Sequence, residues 1–399
     1  MKTNLHTPLS QAIKLMLLVL MCLPACSTAV NAQSPEAYAV FDSATGTLTF
    51  KYDAAKPEGA YEMNKGYTAP GWYYKAYDIK KIVFEPSFAD ARPTSCSHWF
   101  ESYHGEEIEG LEYLNTSKVT NMASMFNNCS GLKSLDLSKF NTGKVTDFQY
   151  MLATCSSLTS LDVSSFNTEN ATNMKDMFTG CSSLTSLDVS NFNTSNVTTM
   201  EDMFSRCWEI KSLDLSKFNT SNVKEMNSMF YECSALASLD VSSFNTSNVT
   251  TMASMFGRCV ALTTLDLSSF DTEKVEKMQY IFYIGTSLTT IYASEKFVTT
   301  NVTDSDYMFG FCNALKGAIA YDDNKTGQEC ANCNDGYFTY KKFSSIKPLI
   351  DSTNDKPQYF DMQGKRLAKM QRGRQYRQSW RKDGQGGEVK EYPKAPQGG

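Results

Sequence analysis

Between residues 119 and 320 the apolar positions recur every 26 residues. In one copy they are Val119, Met122, Met125, Phe126, Cys129, Leu132, Leu135, Leu137 and Phe140. Cysteines mark the step at 129, 155, 181, 207, 233 and 259. Gly285 holds the next place, and one inserted residue brings the pattern back at Cys312. The spacing from Val119 to Cys129 is helical and predicts one or two helical turns. Leu135-Asp136-Leu137 alternates, which predicts a short strand with both Leu inward and Asp outward. The Asn-Thr-Ser-Asn segments between the two halves are turn chemistry, because such side chains bond nearby backbone. A fixed period of this length is the signature of stacked repeats. Core side chains contribute roughly 1.5–3 kcal/mol each on burial, while each ordered backbone residue costs roughly 1–2 kcal/mol. One unit alone therefore fails, and neighbours must cover its open faces. The expected fold is an α/β solenoid of the leucine-rich-repeat kind. Short parallel strands would line its concave side and short helical turns its convex side, with β-rich caps.

The flanks supply those caps. Ala37–Phe41 and Thr47–Tyr52 around Gly46 predict a hairpin. Residues 80–84 predict another strand, Leu111–Thr116 a degenerate first rung, and Gly336–Tyr340 a closing strand. At the start, the apolar run Leu15–Leu23 is too short to cross a bilayer and fits a signal-peptide core. Cleavage is expected after Ala32; a lipid anchor at Cys26 is the rival. The expected division is 1–32 signal peptide, 33–117 N-terminal cap, 118–320 repeats, 321–345 C-terminal cap and 346–399 linker and tail.

Composition narrows the function. The 399 residues carry a net charge of −5 and only three His. Mild acidity argues against nucleic-acid binding. Residues 363–399 carry a net +7, leaving −12 on the remainder, so the tail differs in kind from the rest. No paired catalytic acids, nucleophile motif or phosphate loop is legible, and no His lies within the repeats to activate a Ser. The expectation is no enzyme and no cofactor or metal.

Strings such as Met226–Thr246, reading Met-x-x-Met-Phe-x-x-Cys-x-x-Leu-x-x-Leu-Asp-Val-Ser-x-Phe-Asn-Thr, closely resemble the BspA-like leucine-rich-repeat family of bacterial surface proteins. The resemblance implies an exported, surface-displayed binding protein, with a host matrix protein, a glycan or another cell as partner. The stretch from Gln358 to Arg366 resembles the start of a type IX secretion sorting domain. Past Gly373 the chain departs from that family's apolar strands and reads as polar and strandless, which a frameshift near Arg374 would explain; a natural disordered basic tail is the alternative.

The candidate ligand-binding residues are Asp136, Asp162, Asp188, Asp214, Asp240 and Asp266, one per repeat on the expected concave face. The plain alternative is a solvated strand face whose Asp and Ser side chains keep the sheet soluble. Adjacent carboxylates about 5 Å apart repel by roughly 0.8 kcal/mol in water. The evenly spaced cysteines read either as buried thiols or as rung-to-rung disulfides. Cys330-Ala-Asn-Cys333 lacks the second pair that a zinc site needs. A surface binding module is the leading function, and a structural envelope component without a ligand is the alternative. If the Asp column binds, charge reversal at Asp188, Asp214 and Asp240 weakens affinity for an identified ligand; unchanged affinity in a binding assay removes it as the site.

Overall fold

The computed structural model describes residues 33–343 together with three short strands, Gln358–Phe360, Arg366–Leu367 and Arg377–Ser379. The signal-peptide segment and most of the tail lie outside the described residues. Successive repeats lie beside one another. Parallel bridges join Ser95 to Asn121, Asn121 to Asp147, Asp147 to Asn173, and so on to Lys277 and Asp304. These are eight steps between nine coils, and the first coil begins at Ser95, upstream of 118. Its Cys96, Trp99, Phe100 and Tyr103 fill the places of Met122, Met125, Phe126 and Cys129. Such different residue types hid this copy from the sequence pattern.

The Met-Phe-Cys half is not helical; no α-helix occurs among the described residues. It is a run of tight turns. In one coil the Met203 N–H donates to Met200 O at 3.3 Å, Ser205 to Asp202 O at 3.0 Å and Cys207 to Phe204 O at 3.3 Å. The intervening N–H groups point to the next coil. Met200 donates to Glu225 O (3.0 Å), Asp202 to Asn227 O (2.9 Å), Phe204 to Met229 O (3.0 Å) and Arg206 to Tyr231 O (2.7 Å). Turning and pairing thus alternate residue by residue, and a buried backbone finds its partners. The geometry needs a left-handed residue at two places per coil, such as Ser124 (φ 56°) and Asn128 (φ 58°). Among the described residues, all 17 left-handed non-glycine residues belong to these two columns, and Gly180 (φ 66°) fills the remaining place. Left-handed backbone usually signals Gly or Asn. Here Tyr, Arg, Asp and Ile adopt it, so composition carried no hint of it.

The Leu-Asp-Leu half also differs from expectation. Only Thr264–Leu267 and Thr290–Ala293 form strands among the repeats; they pair in parallel with each other, and the second pairs with Phe338–Tyr340. At Thr185–Val189, as in most copies, no backbone bond reaches a neighbouring coil. The hydrogen bonds that fix the step lie in the turn half. Phe178, Phe204, Phe230, Phe256 and Phe282 stack there with centroids 5.8–6.1 Å apart. The Phe column beyond the Asp residues is wider, at 6.4 Å for Phe166–Phe192 and 6.5 Å for Phe244–Phe270. The rings therefore stack more closely on the turn side than beyond the Asp column.

Eight of the nine repeating apolar positions are buried in the copy from Val119 to Phe140, and Leu135 is half-buried. A ninth kind of buried residue was read only as turn chemistry. Thr116, Thr142, Thr168, Thr194, Thr220, Thr246 and Thr272 are at most 1% exposed. Each hydroxyl clamps the next coil. Thr220 donates to Asn245 O at 2.9 Å and accepts from the Asn245 N–H at 2.8 Å.

Both ends are closed by sheet and aromatic packing. β1 (Glu36–Asp42) and β2 (Thr47–Asp53) form the expected hairpin, with Gly46 left-handed at its turn. β3 (Tyr61–Glu62), β4 (Lys81–Phe84) and β5 (Ile108–Glu109) complete a sheet ordered β3-β1-β2-β4-β5. Phe50 stacks on Phe84 at 4.4 Å, and the Trp72 indole N–H donates to Trp99 O at 2.8 Å, which ties the cap to the first coil. At the other end Phe338 packs edge-on against Phe297 and Phe309. In the tail, Gln358–Phe360 pairs antiparallel with both Arg366–Leu367 and Arg377–Ser379. The segment after Gly373 is therefore not strandless.

Two threonines separate the clamp from surface bonding. Thr220→Val removes the partner of the part-buried N–H and C=O of Asn245 and is expected to cost about 1–3 kcal/mol. Thr198→Val removes an exposed bond to Thr172 O (3.1 Å), and such surface changes stay within about 0.5 kcal/mol. Denaturant unfolding of both variants measures the difference.

Candidate functional site

The Asp column is exposed from Asp136 to Asp240 and half-buried at Asp266. Each carboxylate already has local work. Asp136, Asp162, Asp188, Asp214, Asp240 and Asp266 accept from the backbone N–H two residues on, at 2.8–3.0 Å. This is an Asx turn that closes the corner after the Leu-Asp-Leu segment. The Ser138 N–H and hydroxyl hold Asp136 below the usual carboxylate range. The hydroxyl and N–H of Ser164, Ser190 and Ser216 do the same for Asp162, Asp188 and Asp214. At Asp266 burial opposes ionisation, but Lys341 and Ser268 bring the carboxyl down overall. Lys341 reaches Asp266 from beside the closing strand and lies 5.4 Å from the Tyr292 ring, where the Asp column ends. The structure thus brings the six residues into one column and gives all of them the same structural task.

A different surface holds a cavity. Along the turn half, a groove of about 530 Å³ is lined by Tyr150, Lys175, Asp176, Thr179, Glu201, Asp202, Arg206, Ser228, Tyr231, Ser254, Tyr280 and Tyr283. A second groove of about 470 Å³ shares Glu201 and Ser228 with it and runs past Glu225, Glu276, Lys277 and Gln279. The lining comes from positions that differ between coils. One left-handed column reads Ser124, Tyr150, Asp176, Asp202, Ser228, Ser254, Tyr280 and Tyr307. Left-handed residues interrupt the run of turns, and each carries its side chain beside a backbone fully occupied in holding the stack. Sequence periodicity missed this surface because it tracks what recurs, and these positions do not.

Charge and aromatic area divide along the groove. Lys175 bridges to Glu201 at 2.7 Å. Arg206 and Arg258 both meet Glu232, at 3.2 and 3.4 Å. Asp176 is only 8% exposed, and no described salt bridge reaches it. Burial, followed by the charge of Asp202, raises its pKa from 3.8 to about 6. Burial likewise raises Asp202, with the Ser205 hydroxyl opposing. Further along, Tyr280 stacks on Tyr307 at 5.8 Å, while Tyr283 meets Tyr280 edge-on at 5.3 Å and Phe311 at 5.6 Å. Tyr307 and Phe311 are half-exposed, so aromatic faces remain open to solvent.

The cysteines contribute no chemistry at this surface. All ten in residues 33–343 are free thiols, and those of the repeats are buried. Each repeat Sγ lies against a carbonyl of the preceding coil, as Cys207 does at 3.2 Å from Phe178 O. Burial pushes Cys181, Cys259 and Cys312 up to about 12, which leaves no thiolate to react. Among the described residues no three His, Cys, Asp or Glu side chains converge as a metal cage. No helix among them is long and apolar enough to cross a membrane.

Two overlapping stretches, 94–213 and 198–321, match the family model described as Mycoplasma protein of unknown function, DUF285. Together they span more than half of the 399 residues, and the chain belongs to that family. The first match starts one residue before Ser95, where the bridged stack begins. No curated protein and no solved structure matches the chain.

The raised Asp176 pKa makes a stability prediction. Between 3.8 and about 6 the folded state holds a proton that the unfolded chain has lost. This group therefore contributes a cost that grows as pH rises through that window and is full above it. Asp176→Asn is expected to stabilise the protein by about 1–3 kcal/mol near neutral pH. The gain should shrink to nothing towards pH 4; thermal melts across the range measure it.

Proposed function

We propose that the protein is an exported cell-surface binding protein whose coils wind as a leucine-rich-repeat-like solenoid and which recognises an extracellular protein, a glycan or another cell through the turn-side groove. The likeness to BspA-like surface proteins, the signal-peptide-like start and the sorting-domain-like stretch from Gln358 support export and display. One observation carries the choice of surface. Scaffold positions repeat coil after coil, whereas the side chains that change between coils gather along one groove with open aromatic faces. Repeat stacks bind through surfaces of this kind, where neighbouring units lend one continuous platform to a partner. Tyrosine suits the task because it offers large contact area with little rotamer freedom to lose. The Asp column is the secondary candidate, since one oxygen of each carboxylate is held in a turn. The groove acts by recognition without catalysis.

The test is a panel of extracellular matrix proteins and glycans probed with the purified protein. Saturable binding to at least one member is expected, weakened about tenfold or more by the Tyr231→Ala/Tyr283→Ala pair, since a buried interface aromatic contributes about 2 kcal/mol or more. No saturable binding favours a structural envelope component instead.

A further inference from the structure

We infer that the groove takes a basic polypeptide, with a lysine or arginine side chain seated between Asp176 and Asp202 and flanked by the rings of Tyr150 and Tyr231. This rests on the binding role proposed above and names its ligand chemistry.

Charge bookkeeping on the lining points there. Lys175 is engaged by Glu201 at 2.7 Å and Arg206 by Glu232 at 3.2 Å. Asp176 and Asp202 occupy the same column on adjacent coils, and no described salt bridge reaches either. Asp176 is more than nine-tenths buried and lines the cavity beside Tyr150. Burial opposes the charge of both carboxylates at this one cavity, and Asp202 also opposes that of Asp176; Lys175 favours both from a distance and Arg206 favours Asp202, but these two cations are held by Glu201 and Glu232, so neither carboxylate has a cation in contact. A sugar hydroxyl would satisfy a hydrogen bond there but leave the charge uncompensated. An ammonium or guanidinium compensates both carboxylates, and tyrosine faces attract it through the ring quadrupole. Four tyrosines line the groove. The basic side chain has to belong to a longer ligand, because the cavity of about 530 Å³ continues into the second groove past Glu225 and Glu276.

Acidification should release the ligand. The groups facing Asp176 are Tyr150, Lys175, Glu201 and Asp202; those facing Asp202 include Ser205, Glu201, Lys175 and Arg206. Of these, Asp176 has the carboxyl raised to about 6, so it loses its charge first as pH falls from neutral.

The experiment uses the full protein with fluorescein-labelled tetra-arginine and tetra-lysine, an uncharged tetra-glutamine control and a neutral oligosaccharide such as maltohexaose, at physiological ionic strength. Saturable binding of the basic peptides is expected. It should fall about tenfold or more in Asp176→Asn/Asp202→Asn and again for the parent protein on going from about pH 7.5 to about pH 5. It should be retained in Asp188→Asn/Asp214→Asn, which removes equal charge from the Asp column. Equal loss in both double variants, unchanged binding in the first, or preference for the oligosaccharide overturns the inference. So does the absence of any peptide binding. If a matrix protein or glycan is lost with the tyrosine pair but not with Asp176→Asn/Asp202→Asn, the groove stands as a binding surface and the basic ligand falls.

Discussion

The structure depends on one arrangement of backbone hydrogen bonds. In the turn half of each coil, odd and even residues do different work. One set closes a tight turn within the coil, and the other donates to the coil that follows, as Met200, Asp202, Phe204 and Arg206 do. The second set cannot be completed in an isolated unit, because its donors face a coil that is absent. An unpaired buried amide costs on the order of 1–3 kcal/mol, so the units stand only as a stack. The side chains follow from this. A step fixed by hydrogen bonds aligns each Phe over the next, each buried Thr over the following backbone and each thiol against a carbonyl.

The two faces of a coil then acquire different freedoms. On the Asp side, six successive copies carry the same residue, whose carboxylate closes a corner. On the turn side, the backbone is satisfied by its own ladder and leaves the outward side chains unassigned. Tyrosines, paired charges and two carboxylates outside any salt bridge collect where the scaffold places no demand. Recurring and variable side chains are thereby separated onto different parts of each coil.

Much of this was legible from the chain. The period, the core positions, the hairpin around Gly46 and the closing strand at Phe338–Tyr340 follow from apolar spacing and turn residues. What stayed hidden has physical causes. Met122, Met125, Phe126 and Cys129 have the spacing of a helix, and consecutive turns on one side produce the same spacing. Left-handed backbone would have separated the two, yet Ser124, Tyr150 and Arg206 carry no glycine signal. The first coil was lost because Trp99 and Tyr103 replace Met and Cys. The buried threonines looked like solvated turn residues because their partner lies 25 residues ahead in the next unit. The groove escaped notice because a search for recurrence passes over positions that vary.

The left-handed columns have a consequence for how such a protein can change. Each of those residues bears strain that a glycine would relieve, yet nearly all of them keep a side chain. Since tyrosine, aspartate, arginine and isoleucine are all accommodated there, exchange at these places asks little of the rest of the molecule. The surface along these columns can change by point substitutions in a fixed framework, much as an interchangeable type case serves one printing press.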